Sequence, residues 1–236
     1  MDETQAASAS RSRRIIPIFL LLLVLVGGGI AIFVATRPSA SAPAGPEGVP
    51  IASVPDLASA STSATGVAID GITCRKATDE NVKYHIHIHV QVFVNGSQRR
   101  LPAGIGVTSP PLVEHYKSGT FLDVGPYNCL YWIHTHAADG IVHVEAPAKG
   151  SFTLGQLFDI WSQPLSATQA GPAHGPVVIF VNGTKMGGDP RAVVLAPHSN
   201  IQINVGSATP YRPFSFTVTG GCGQGTTSCT TPTASK

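Results

Sequence analysis

Charge is scarce in this chain: Asp, Glu, Lys and Arg make up 12% of its 236 residues, against a usual quarter or so. The formal net charge is only +2, so there is no basic footprint of the kind that nucleic acid requires. Methionine is nearly missing as well, with Met186 the sole one after Met1. That excludes a Met-rich copper(I) site and a blue-copper centre with an axial methionine. The sequence also lacks a GxSxG elbow, a P-loop and a Rossmann glycine pattern, and no serine-hydrolase constellation is visible.

Apolar residues are plentiful, but the first long apolar run is not core. Residues 15–35, IIPIFLLLLVLVGGGIAIFVA, are uncharged and at 1.5 Å per residue would span about 30 Å, the thickness of a bilayer core. Arg11, Arg13 and Arg14 precede the run and only Arg37 closely follows it. The positive-inside rule then leaves residues 1–14 in the cytoplasm and sends the remainder outside. A signal peptide cleaved among Ser39–Ala44 is the alternative, but the run is longer than a usual signal core, so an uncleaved single-pass anchor is preferred. Residues 36–66 are Ala, Ser, Pro, Gly and Thr with almost no charge and read as a disordered linker. The folded domain is expected over 67–219, followed by a flexible tail, 220–236.

The stretch that organises that domain is YWIHTHAADGIVHVE, 131–145. Asp139-Gly140 is a pair that favours a two-residue hairpin turn. Counting outward places His136 opposite His143 and His134 opposite Glu145. Side chains alternate along a strand, so His134, His136, His143 and Glu145 share one face, while Ile133, Thr135, Val142 and Val144 share the other. Three imidazoles and a carboxylate converging there form a plausible ligand set for a divalent transition metal, with zinc and copper(II) leading. A solvated histidine face is the plain alternative, but several unpaired polar groups on one buried face would be costly.

A second histidine row lies in YHIHIHVQVFVNG, 84–96, where His85, His87 and His89 point opposite to Ile86, Ile88 and Val90. Three histidines in line span roughly 13 Å, too far for one ion, so two could join the first cluster or the row could serve two ions. A composite site is expected, with this strand beside the central hairpin. Asn95-Gly96 closes a further hairpin. The stretch 101–129 is rich in Gly and Pro and reads mostly as loop, with His115 on a short surface helical turn.

After the hairpin, Thr153 and Gln156 form a capping box, and Leu154, Leu157, Phe158 and Trp161 make one apolar helical face that Pro164 ends. VVIFVNG (177–183), NIQINVG (200–206) and FSFTV (214–218) read as strands. The expected fold class is α+β, mainly β: antiparallel hairpins with one helix and a β-grasp-like second half, behind a single transmembrane helix. The histidine face would lie away from the helix.

An extracytoplasmic chain with four cysteines favours disulfides. Cys222 pairs with Cys229 by proximity in sequence and Cys74 with Cys129 by elimination, a preference among three connectivities. A competing reading makes Cys129 a soft metal ligand.

The combined pattern YHIHIHVQVFVNG…LPAGIG…C-x-YWIHTH…GIVHVE…FTLGQLFDIW, within 84–206, resembles a family of membrane-anchored, extracytoplasmic bacterial and archaeal proteins. The resemblance implies a shared architecture and supplies no activity. Relatives often carry Asp directly after HTH, where this chain has Ala137.

The sequence therefore points to a membrane-tethered, extracytoplasmic metal-binding domain whose partners are a metal ion and the membrane. A metalloenzyme, with Glu145 as general base to a metal-activated water, and a structural domain whose histidines sense pH are the two other classes.

Overall fold

The computed structural model describes residues 42–60, 66–76, 81–116 and 119–216. The elements in chain order are β1 (Cys74–Lys76), β2 (Tyr84–Val94), β3 (Ser97–Arg99), β4 (Leu112–Tyr116), β5 (Gly119–Asp123), β6 (Cys129–Tyr131), β7 (Ile133–His134), β8 (Ile141–Ala146) and helix α1 (Leu154–Ile160). They continue with β9 (Leu165–Ser166), β10 (Gln169–Ala170), β11 (Ala173–His174), β12 (Val177–Val181), β13 (Thr184–Lys185) and β14 (Asn200–Val205). The domain is mainly β with one helix.

Its principal sheet runs β13-β12-β14-β2-β8-β7, with β3 hairpinned onto β2. β2 is the longest strand and the centre of the sheet, antiparallel to β8 on one side and parallel to β14 on the other. The alternation in 84–94 explains the choice: Ile86, Ile88, Val90 and Val92 are buried in one core with Val142, Val144, Ile201, Ile203 and Val205. That face is covered by α1, whose Leu154, Leu157 and Phe158, with Trp161 at the C-cap, enter the same core. The capping box is present as the sequence requires, Thr153 Oγ1 accepting from Gln156 N–H and Gln156 Oε1 accepting from Thr153 N–H. The Asn-Gly turns also form, with φ of 48° and 81° at Asn95 and Gly96 and 50° and 87° at Asn182 and Gly183, the positive pair of a type I′ hairpin.

Four expectations are corrected. Residues 42–60, read as part of a disordered linker, lie against the domain: Leu57 is buried in the main core, and its N–H donates to Arg100 O at 2.8 Å. The buried indole of Trp161 donates its Nε1–H to Ser59 O at 2.7 Å, so this strap supplies a partner that the core residue needs. His115 sits on β4, not on a helical turn, and the Gly/Pro-rich stretch 101–129 around it, though mostly loop as expected, holds β4 and β5. Residues 214–216 form no strand; Phe214 instead stacks on His89 with ring centroids 3.6 Å apart. Finally, the central hairpin pairs Ile133 with Val144 and His134 with His143, two residues away from the expected register.

The Cys74–Cys129 disulfide is present, with sulfurs 2.06 Å apart, so Cys129 is not a thiolate ligand. Cys222 and Cys229 lie outside the described residues, as does the expected anchor at 15–35. Among the described residues no helix is long and apolar enough to cross a membrane.

Candidate metal centre

The face of the sheet opposite α1 carries the histidines. Three neighbouring strands place one residue each in a row, His134 on β7, His143 on β8 and His87 on β2; Glu145 and His85 pair in the next row. Neighbouring strands lie about 4.8 Å apart, so imidazoles in such a row must meet. The His143 ring is the hub, with centroids 5.2 Å from His134, 4.7 Å from His136 and 4.4 Å from His87.

His134, His136, His143 and Glu145 each offer a ligand atom within 4.8 Å of the others. The shift in register did not disperse them, because a slip of two residues preserves the face on which each side chain stands. Where a two-residue turn was expected, residues 135–140 form a longer loop in which Asp139 Oδ1 accepts from Ile141 N–H at 2.9 Å and only Gly140, at φ 86°, needs the left-handed region. Thr135 points away, its hydroxyl donating to Pro102 O at 2.8 Å and accepting from Ile105 N–H at 3.1 Å.

Two backbone carbonyls fix the tautomers of the first histidine pair. His134 Nδ1 lies 2.8 Å from Tyr131 O and His136 Nδ1 lies 2.7 Å from Leu122 O. A carbonyl only accepts, so in each neutral ring Nδ1 carries the proton and Nε2 carries a lone pair. Those two Nε2 atoms face each other at 3.2 Å. Two acceptors at that distance have no proton to share and repel unless a cation lies between them. The spacing matches two ligands of one tetrahedral ion, about 3.3 Å apart for zinc–nitrogen bonds of about 2.05 Å. Carbonyl-anchored imidazoles are also the usual outer support of metal-binding histidines.

Glu145 completes this group. Its Oε1 stands 4.0 Å from His134 Nε2 and 4.0 Å from His143 Nδ1, while its Oε2 pairs with Arg75 Nη2. Arg75 follows Cys74, so the disulfide that ties β1 to β6 also holds the guanidinium at the site. His143 Nδ1 is buried and has no hydrogen-bond partner.

Electrostatics keeps the set ready for a cation. Burial, reinforced by His136 and other neighbouring imidazoles, pushes His134 and His143 well below the ordinary histidine value, and His87 falls to about 3 through burial with His143 and His85 beside it. Neutral imidazole is the form that ligates. For Glu145 burial acts upward, but His85 and Arg75 outweigh it and hold the carboxyl below its usual value.

His85 and His87 join the cluster from β2, their Nε2 atoms 2.9 Å apart and grouped with His143 within 4.8 Å. His89 does not. Its Nδ1 is 2.8 Å from Asn200 Oδ1 and its ring is stacked on Phe214. There the segment 209–214 covers the sheet, accepting from the Gln202 side chain at Thr209 O and Pro210 O.

Sequence reasoning missed Glu47. It sits in a tight turn of the strap, where Gly45 N–H donates to Val49 O at 3.0 Å, and reaches His143 Nε2 at 3.1 Å and His87 Nε2 at 3.9 Å through Oε1. Gly45 permits the approach, since any Cβ there would run into the Asp139 carboxylate. The one available signal was that a lone glutamate stood amid an almost chargeless stretch. No family model, curated protein or solved structure matches this chain.

Proposed function

We propose that the protein is a membrane-tethered, extracytoplasmic domain that binds a divalent transition metal, zinc or copper(II), through His134, His136, His143 and Glu145. The observation that carries this reading is the pair of lone-pair-bearing Nε2 atoms of His134 and His136 at 3.2 Å, each with its Nδ1 tied to a backbone carbonyl. Neutral imidazole suits both metals, and the Irving–Williams order favours copper where it is available. Four protein ligands fill a tetrahedral shell, whereas a catalytic zinc keeps a position open, so holding the ion is favoured over catalysis. The charged tract before residues 15–35 and the disulfide in the domain support the extracytoplasmic placement. The parallel β14–β2 pair, flanked by β12 and β8 and backed by one helix, supports a β-grasp-like arrangement of the scaffold.

The test is a titration of the full-length chain, purified in detergent without an affinity tag and stripped with chelator. Zinc and copper(II) should each bind with Kd below about 10 µM, equivalent to about −7 kcal/mol. Weaker binding of both ions would sink the reading.

A further inference from the structure

We propose that the site holds two metal ions, and that His143 is a shared ligand whose two ring nitrogens each take one. The second ion would be held by His85, His87 and Glu47. This rests on the first ion's being bound as proposed above, and deepens it.

The two nitrogens of His143 address different carboxylates: Nδ1 stands 4.0 Å from Glu145 Oε1 and Nε2 stands 3.1 Å from Glu47 Oε1. The lone pairs of an imidazole diverge in the ring plane, so one ion cannot use both. The Nδ1 side belongs with Glu145, His134 and His136. On the other side His87 Nε2 lies 3.9 Å from Glu47 Oε1, and His85 stands between the two halves, its Nε2 2.9 Å from His87 Nε2 and 3.4 Å from Glu145 Oε1. That second half is three imidazoles and a carboxylate again, the same donor chemistry as the first.

The simpler account makes Glu47 an orienting partner that accepts a hydrogen bond from His143 Nε2–H, as carboxylates do behind many metal-bound histidines. It leaves two facts without a cause. Glu47 Oε2 is buried with no hydrogen-bond partner, which is costly for a carboxylate serving only through its other oxygen. His85 and His87 also bring their Nε2 atoms to 2.9 Å, although only His85 touches the first site, 3.4 Å from Glu145 Oε1, and that contact gives His87 no reason to crowd it. A second cation resolves both. It takes the place of the proton on His143 Nε2, which leaves to solvent, and the ring becomes an imidazolate between ions about 6 Å apart, given metal–nitrogen bonds of about 2.0–2.1 Å.

The experiment loads the stripped full-length chain with copper(II), counts metal by elemental analysis, and integrates the electron paramagnetic resonance signal. The expected result is two coppers per chain, with a low-temperature signal well below two spins because an imidazolate couples the ions. The H85Q/H87Q double variant should hold one copper with its full spin, and E47Q should weaken the second equivalent by about tenfold or more. One copper in the wild type, unchanged in H85Q/H87Q, would overturn the second ion and leave the first in place. Two coppers with independent spins would overturn the shared ligand. No bound copper in any form would remove the first site as well.

Discussion

Thr135 and His136 are adjacent in sequence, yet their side chains leave the strand in opposite directions, and that difference makes a residue-scale test. His134→Ala and His136→Ala should each abolish tight binding at the first site, and the double variant should do little more, because both serve one ion. Thr135→Ala should leave metal affinity nearly unchanged and instead cost about 1–3 kcal/mol of stability, since Pro102 O and Ile105 N–H lose their buried partner. Metal titration and urea denaturation of the same variants separate the two effects, and a Thr135→Ala loss of affinity equal to the histidine losses would refute the facing described here. The candidate ligands were legible because alternation fixes parity. The register was not, because Asp-Gly signals a tight turn while the real loop is set by Thr135 and His136 reaching residues 102, 105 and 122. Those partners are distant in sequence, and no local pattern names them.

At the scale of elements, what periodicity marks is what formed. β2, β14 and α1 are long enough to repeat their pattern, and each appears with the faces its alternation or helical spacing demands. The strap 42–60 shows the opposite case. Its composition resembles a linker, yet it is pinned by one apolar residue, a few backbone hydrogen bonds, and the Arg100–Asp56 pair at 2.8 Å. Leu57→Ala should therefore destabilise the whole domain by about 2–5 kcal/mol, as truncation of a buried leucine does. In a true tether the same change would be silent in a denaturant melt, so a shift under about 0.5 kcal/mol would mean the strap is not part of the fold. Glu47 was invisible for the same reason. Its meaning comes from where Leu57 and Ser59 dock the chain, not from any motif around it.

For the molecule as a whole, the buried imidazoles set how stability depends on pH in the metal-free state. His87, His89, His134 and His143 are all pushed below the ordinary histidine value, in each case first by burial. An unfolded chain protonates these side chains near 6.5, so below that pH unfolding takes up protons and stability falls as the pH drops. Asp139 acts in the other direction. Burial raises it from 3.8 to about 7, so the folded state keeps a proton there that the unfolded chain releases; that contribution is full below about pH 4 and fades as pH rises through 7. Between pH 6.5 and 5 one carboxyl thus offsets one of four histidines, and each uncompensated histidine costs up to about 1.4 kcal/mol per pH unit. The chelated full-length protein should lose Tm steadily from pH 7 to pH 5. Metal-loaded protein should melt higher than chelated protein at pH 7, because the ion binds the folded chain in preference to the unfolded one. A chelated Tm that stays level or rises on acidification would mean the imidazoles are already charged in the folded state, and a charged cluster cannot be the cation site that its carbonyl-anchored tautomers describe.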